Sequence, residues 1–237
     1  MSALPRPAIA VLTFLLSLSF AASPFLVEGF GGYDPDQFPI PQDNPPVQPA
    51  GYAFGIWGLI YLWLILGSAW GAAKALQDGQ WHDMRVPLCL SLAMGTFWLA
   101  VAVASPVWAS VLIWGMLLSA LMALFLAPVE NVIWGSWPVG IYAGWLSAAS
   151  CVSLGLLAAG YDWLEPVPAA LLFVGMAIVV GGFVQAALGR TPTYGLAVIW
   201  ALAAVALQNF EATPIVAYLA GAGAIVVLVP TLRAFRG

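Results

Sequence analysis

Residues 44–70 read NPPVQPAGYAFGIWGLIYLWLILGSAW. Pro45, Pro46 and Pro49 hold the approach extended, because each proline lacks a backbone donor and biases the residue before it away from the α region. Small residues follow, and then an apolar run carrying Tyr52, Phe54, Trp57, Tyr61, Trp63 and Trp70. A rigid loop therefore delivers an aromatic-faced helix. Phe54, Trp57, Tyr61 and Ile65 recur at i, i+3, i+7 and i+11 and share one face, whereas Trp63, Gly67 and Trp70 occupy another. The first face suits a flat aromatic cavity, and the second a neighbouring helix or lipid headgroups.

The rest of the chain places this helix in a bilayer. Of 237 residues, 63% are hydrophobic and only 7% are charged. Soluble domains keep about 25% charged residues, and a chain this poor in charge cannot cover its own surface in water. Spans of about 20 apolar residues are needed to cross a membrane. The pattern predicts eight, at roughly 6–23, 52–73, 87–104, 107–127, 138–160, 167–188, 194–210 and 213–231. The third and fourth are parted only by Ser105-Pro106, and the last two by a polar knot around Asn209, Glu211 and Pro214. The first segment also has the features of a signal peptide: Arg6, a short apolar stretch and a small-residue end at Ala21-Ala22-Ser23. We read it as a retained helix, because the charge pattern closes with it in place.

That pattern is the topological argument. With the first helix starting in the cytoplasm and eight helices in alternation, Arg6, Lys74, Arg85, Arg190, Arg233 and Arg236 all fall inside, as basic residues flanking spans do. Both termini are then cytoplasmic, as expected for a multi-pass protein of a bacterial inner membrane. Glu28, Asp34, Asp36, Asp43, Asp162, Glu165 and Glu211 fall outside. No basic patch suits a nucleic acid.

The loop from Pro24 to Gly51 is either a proline-stiffened solvated connector or a lid in which Phe38 and Ile40 pack onto the outer mouth. The stretch KALQDGQWHDMR reads as a loop after the second span, with Trp81 an interfacial anchor and His82 solvated. Trp134 and Trp137 suit the interface at the end of the next such loop. Cys89 and Cys151 lie inside predicted helices and read as small packing residues. Gln185 and Gln208 read as interhelical hydrogen-bond partners.

Catalytic chemistry is hard to assemble from these residues. No clearly intramembrane Asp, Glu, Lys, Arg or His suggests a proton relay. One histidine cannot supply a haem pair or a di-iron centre, and the single lysine lies at a helix end, where it cannot hold a retinal Schiff base. No phosphate-cradling glycine motif, CxxC or nucleophile elbow is present. We expect no catalytic residue, no metal and no enzyme. An aromatic bundle of this kind suits a flat hydrophobic ligand held by stacking and shape. Many of the twelve tryptophans also suit an interfacial or lipid-facing belt, the favoured reading for any one of them, and for Trp57, Tyr61 and Trp145 together the two readings stand level.

The passage PPVQPAGYAFGIWGLIYLW resembles the signature of the translocator protein/tryptophan-rich sensory protein (TspO/MBR) family, through Pro49, Gly51, Phe54, Gly55, Trp57, Ile60 and Tyr61. A second stretch, WPVGIYAGWLSAAS, is similar to that family's fifth helix through Pro138, Trp145, Ala148 and Ala149. The Asn that often follows the helix-five Trp there has no equivalent, Ser150 and Ser153 being the nearest polar residues. The resemblance implies an all-α, polytopic transmembrane helix bundle of about eight helices. Residues 1–160 would form a five-helix translocator-like core with the outer loop 24–51, and residues 161–237 three additional transmembrane helices. It further implies a ligand pocket lined by Tyr52, Phe54, Trp57, Tyr61, Trp98, Tyr142 and Trp145. The ligand would be a tetrapyrrole (porphyrin) or a sterol- or isoprenoid-like molecule, with a regulatory or transport role.

No covalent cofactor is expected, and a tetrapyrrole or carotenoid would be held non-covalently. Membrane lipid and the hydrophobic small molecule are the expected partners, with a homodimer or a larger membrane complex as possible assemblies. The alternative function is an accessory subunit packed in a pigment or redox complex. A small-solute transporter is a third reading, although no internal repeat or matched pair of broken segments supports it.

Overall fold

A computed structural model describes residues 5–27 and 32–236. Among these residues eight α-helices form a bundle: α1 (Arg6–Ala22), α2 (Ile56–Lys74), α3 (Gly79–Ala104), α4 (Pro106–Leu126), α5 (Ser136–Gly160), α6 (Pro166–Leu188), α7 (Thr193–Asn209) and α8 (Pro214–Ala234). Seven are long and apolar enough to cross a membrane, α1 counted with the 3-10 turn that carries it on to Phe25, and α7, at 17 residues, is shorter. The chain is thus a polytopic helical membrane protein. Glu28, expected outside, lies beyond the described residues.

Hydrogen bonds between connections and helix ends establish the alternation. At one end Arg6 donates to Gln77 O, joining the start of α1 to the α2–α3 turn. Arg190 donates to Leu124 O and Phe125 O, and Thr193 to Trp137 O, bringing the α6–α7 turn to the end of α4 and the start of α5. All six Lys and Arg residues gather at this end, while Asp34, Asp36, Asp43, Asp162, Glu165 and Glu211 lie at the other. The gathering of the basic residues at one end, expected from the sequence, holds in the fold, and Asp78, Asp83 and Glu130 share that end with them.

At the acidic end the long loop is bound to the bundle. Gln37 donates to Ala102 O and Val103 O of α3, the Ile40 amide to Gly160 O, the Ala50 amide to Ala204 O, and Asn209 to Pro46 O. Phe38 and Val47 are buried against Gly160 and Gly155 of α5, where a β-carbon would collide with either side chain. The loop therefore acts as a lid, although only Phe38 of the expected pair is buried; Ile40 is exposed and contributes its backbone.

Helix α5 is the centre, buried over most of its length with α4, α6 and α7 around it. Its contact with α7 is a backbone approach at Gly144, where any β-carbon would strike Tyr194 O. Small residues of this kind let membrane helices close on one another where lipid supplies no hydrophobic drive.

Two boundaries differ from the sequence reading, and the one at Ser105 holds. Helix α3 begins eight residues early, at Gly79, because the Asp78 carboxylate caps it by accepting the Trp81 amide at 3.0 Å. Pro87 then sits inside the helix, leaving the carbonyl of exposed Asp83 without its intrahelical donor. Trp81 and His82 are thus helical. Trp81 is a buried packing residue rather than an interfacial anchor, seated over Gly71 with its ring 5.4 Å from Trp70. Helix α2 begins at Ile56, since residues Gly51–Gly55 form a 3-10 turn. Ser105 serves both neighbours, ending α3 and capping α4.

Gln185 joins helices as expected, accepting the Gly195 amide at 2.7 Å and donating to Arg190 O. Gln208 does not: it is exposed, and its neighbour Asn209 is the buried partner that holds the lid. Cys89 and Cys151 are both buried, Cys89 Sγ lying 3.2 Å from Thr13 Oγ1.

Candidate functional site

The aromatic face of α2 meets α1 and α5 in one cluster. Trp57 and Tyr61, one turn apart, stack with centroids 5.3 Å apart and planes 19° apart. Phe20, at the end of α1, stands edge-on to both, at 5.7 Å from Trp57 and 5.0 Å from Tyr61. It fits because α3 offers Gly95 opposite, where a β-carbon would press to 2.7 Å from the Phe20 ring. From α5, Trp145 presents its edge to Trp57 at 6.2 Å and to Phe54 at 5.9 Å. Edge-to-face pairs of this geometry add about 0.5–1.5 kcal/mol each beyond burial, so the cluster is stiff.

These rings wall a cavity of about 670 Å³ between α1, α2, α3, α4 and α5. Phe54, Trp57, Tyr61, Trp98 and Trp145 line it together with Phe20, Ile113 and Met116, and Pro24, Phe25 and Val27 bound it at the acidic end. Its size falls within the ~300–1,000 Å³ typical of ligand pockets. Among the described residues no charged side chain lines it. Trp98 is oriented by its indole N–H, which donates to Ala109 O at 3.0 Å.

Five of the seven residues matched to the family pocket therefore share one cavity. Tyr142 lies behind the wall: it is fully buried, touches Phe20, and places its hydroxyl 2.8 Å from Ser91 Oγ. Tyr52 is elsewhere. It stands edge-on to Trp200 at 5.4 Å and lines a second cavity, an apolar groove of about 710 Å³ between α2 and α7. The reason is local, since residues two apart on any helical turn point away from each other and Phe54 already faces inward. The Trp200 indole, donating to Ala53 O, fixes that outward side.

Phe20, Ile113 and Met116 were invisible in the sequence as site residues. Each sits in an apolar run with no distinguishing period, and only the tertiary contact of α1 and α4 with α2 and α5 selects them. Chemically the cavity offers aromatic faces, methyl groups and the Tyr61 hydroxyl, a set that binds by stacking and shape.

A family model described as TSPO-like protein matches residues 40–233. The match begins in the lid, takes in α2 and α5, and continues through α6, α7 and α8. No curated protein and no solved structure matches the chain. With well over half of its 237 residues under that match, and with the lid, the aromatic helix and the bundle in place, this chain belongs to the TSPO-like protein family.

Proposed function

We propose that the protein binds a flat hydrophobic ring, a tetrapyrrole or a sterol- or isoprenoid-like molecule, and holds it without turnover in a regulatory or transport role. The observation that carries this reading is the cavity of about 670 Å³ whose walls are Phe54, Trp57, Tyr61, Trp98 and Trp145. Among the described residues the wall presents no charged side chain to a ring stacked on Trp57. The gathering of basic residues at the end holding both chain termini supports an inner-membrane protein with cytoplasmic termini.

Titration of the detergent-purified protein with protoporphyrin IX, followed by tryptophan quenching, tests the reading. Trp57→Ala and Trp98→Ala are expected to weaken binding at least tenfold with the fold retained. Unchanged affinity in both would overturn it, and mass spectrometry showing a chemically altered ligand would overturn the absence of turnover.

A second reading, an accessory subunit of a larger membrane complex, draws on the open groove beside Tyr52, Trp63 and Trp200. Mild-detergent purification that yields only this chain counts against it.

A further inference from the structure

Behind the aromatic cavity lies a smaller one, of about 70 Å³, between α4, α5, α6 and α7 under the lid residues Tyr33, Gln48 and Pro49. Both cavities are lined by Phe54, Trp98, Ile113, Trp145 and Ala149, so these side chains form the wall between them. On its far side the inner chamber is bounded by Phe173, Val174 and Ala177 of α6 and by Ala201, Leu202 and Val205 of α7. Its lining is almost wholly apolar: the Ser153 hydroxyl is committed to Ser150 O at 2.8 Å, and the other polar side chains around it, those of Tyr33 and Gln48, belong to the lid. A water molecule needs two to four polar partners, and a cavity that lacks them stays dry and accepts hydrocarbon.

One aromatic member of the wall stands off regular α-helix. Trp145 is 2% exposed on regular helix, and Trp98 is held through Ala109 O. Phe54 instead sits on the 3-10 turn between Gly51 and Gly55, neither of which has an atom within 4 Å of where a β-carbon would stand. We infer that the inner chamber is a subsite for a hydrocarbon tail, so that the ligand class is a flat ring bearing one such tail, with the ring against Trp57 and the tail passing Phe54 to reach α6 and α7. This rests on the ring-binding reading above, and it gives α6 and α7 a share in the site.

The test compares the monomethyl and monohexyl esters of protoporphyrin IX, measured against the same detergent-purified protein. We expect the hexyl ester to bind at least about fivefold tighter, as burial of a few methylenes gives. Ala177→Leu and Ala201→Leu, which fill only the inner chamber, should each abolish that difference while leaving the methyl ester's affinity unchanged. A hexyl ester carrying a diazirine at the tail end should label peptides containing Val174, Ala177 or Leu202 in the unmodified protein, a readout that requires no variant to fold. Equal affinities for the two esters, a difference that survives both substitutions, or labelling confined to lipid-facing residues would each overturn the tail subsite. Binding of the methyl ester without a tail effect overturns this inference alone, whereas no binding of either ester overturns the ring-binding reading with it.

Discussion

The Tyr142 hydroxyl donates to Ser91 Oγ at 2.8 Å, and Ser91 in turn donates to the Met116 carbonyl at 2.8 Å, tying α5, α3 and α4 together beneath the aromatic cluster. The chain is one-directional, because Ser91 has only one proton to give.

Removing its two members therefore has unequal effects. Tyr142→Phe deletes one hydrogen bond and leaves Ser91 still bonded to Met116, costing about 1 kcal/mol. Ser91→Ala leaves the fully buried Tyr142 hydroxyl without a partner and is expected to cost about 1–3 kcal/mol. Denaturant unfolding in a fixed detergent distinguishes them, and equal losses would show that the order of donation is wrong.

Arg85 is the second structural focus. It is 2% exposed, donates to Gly71 O at 2.7 Å and Ala75 O at 3.2 Å, and lies 5.3 Å from the centre of the Trp81 ring. It thereby caps the carbonyl end of α2. Arg85→Met is expected to lower stability by about 2–3 kcal/mol through the lost charge-assisted bonds. Arg85→Lys should recover less than half, since an ammonium cannot span two carbonyls as the guanidinium fork does. Full recovery by lysine would show that charge alone matters there.

Asn209 holds the lid through Pro46 O and binds Val205 O, both at 2.8 Å. Asn209→Ala is expected to cost about 1 kcal/mol and to speed proteolytic cleavage within residues 33–50, whereas Gln208→Ala on the exposed side should change stability by less than about 0.5 kcal/mol. Limited proteolysis with mass mapping reads both, and identical cleavage rates would remove Asn209 from the lid anchor.

Alkaline pH acts on the lid through Tyr33. Burial pushes its phenol up to about 12, with the Ser110 hydroxyl pulling weakly the other way. The native lid thus holds this proton more tightly than the unfolded chain does. Stability is full below about pH 10, the ordinary phenol value, and falls as pH rises through 12. Thermal melts of the native protein and Tyr33→Phe between pH 9 and 12 should diverge, the variant falling less. Parallel curves would show that Tyr33 stays protonated in both states or is not buried.

The sequence alone determined the solvent, the helix count and the gathering of the basic residues at one end of this protein. Its apolar runs are long, its charges few, and its six basic residues spaced so that alternating helices bring them to one end. The side-chain period also picked out Phe54, Trp57 and Tyr61, because a step of three residues across the 3-10 turn and of four along the α-helix keeps them on one face wherever it packs. Tertiary structure decided what that face meets. Phe20 enters the site only because Gly95 leaves room for it, Tyr52 leaves because the 3-10 turn directs it at Trp200, and the inner chamber exists only where α6 and α7 close on α5. In lipid, where apolarity no longer separates inside from outside, such choices rest on small-residue contacts and shape. Periodicity names a helix's faces, and the partner helix alone determines which of them encloses a cavity.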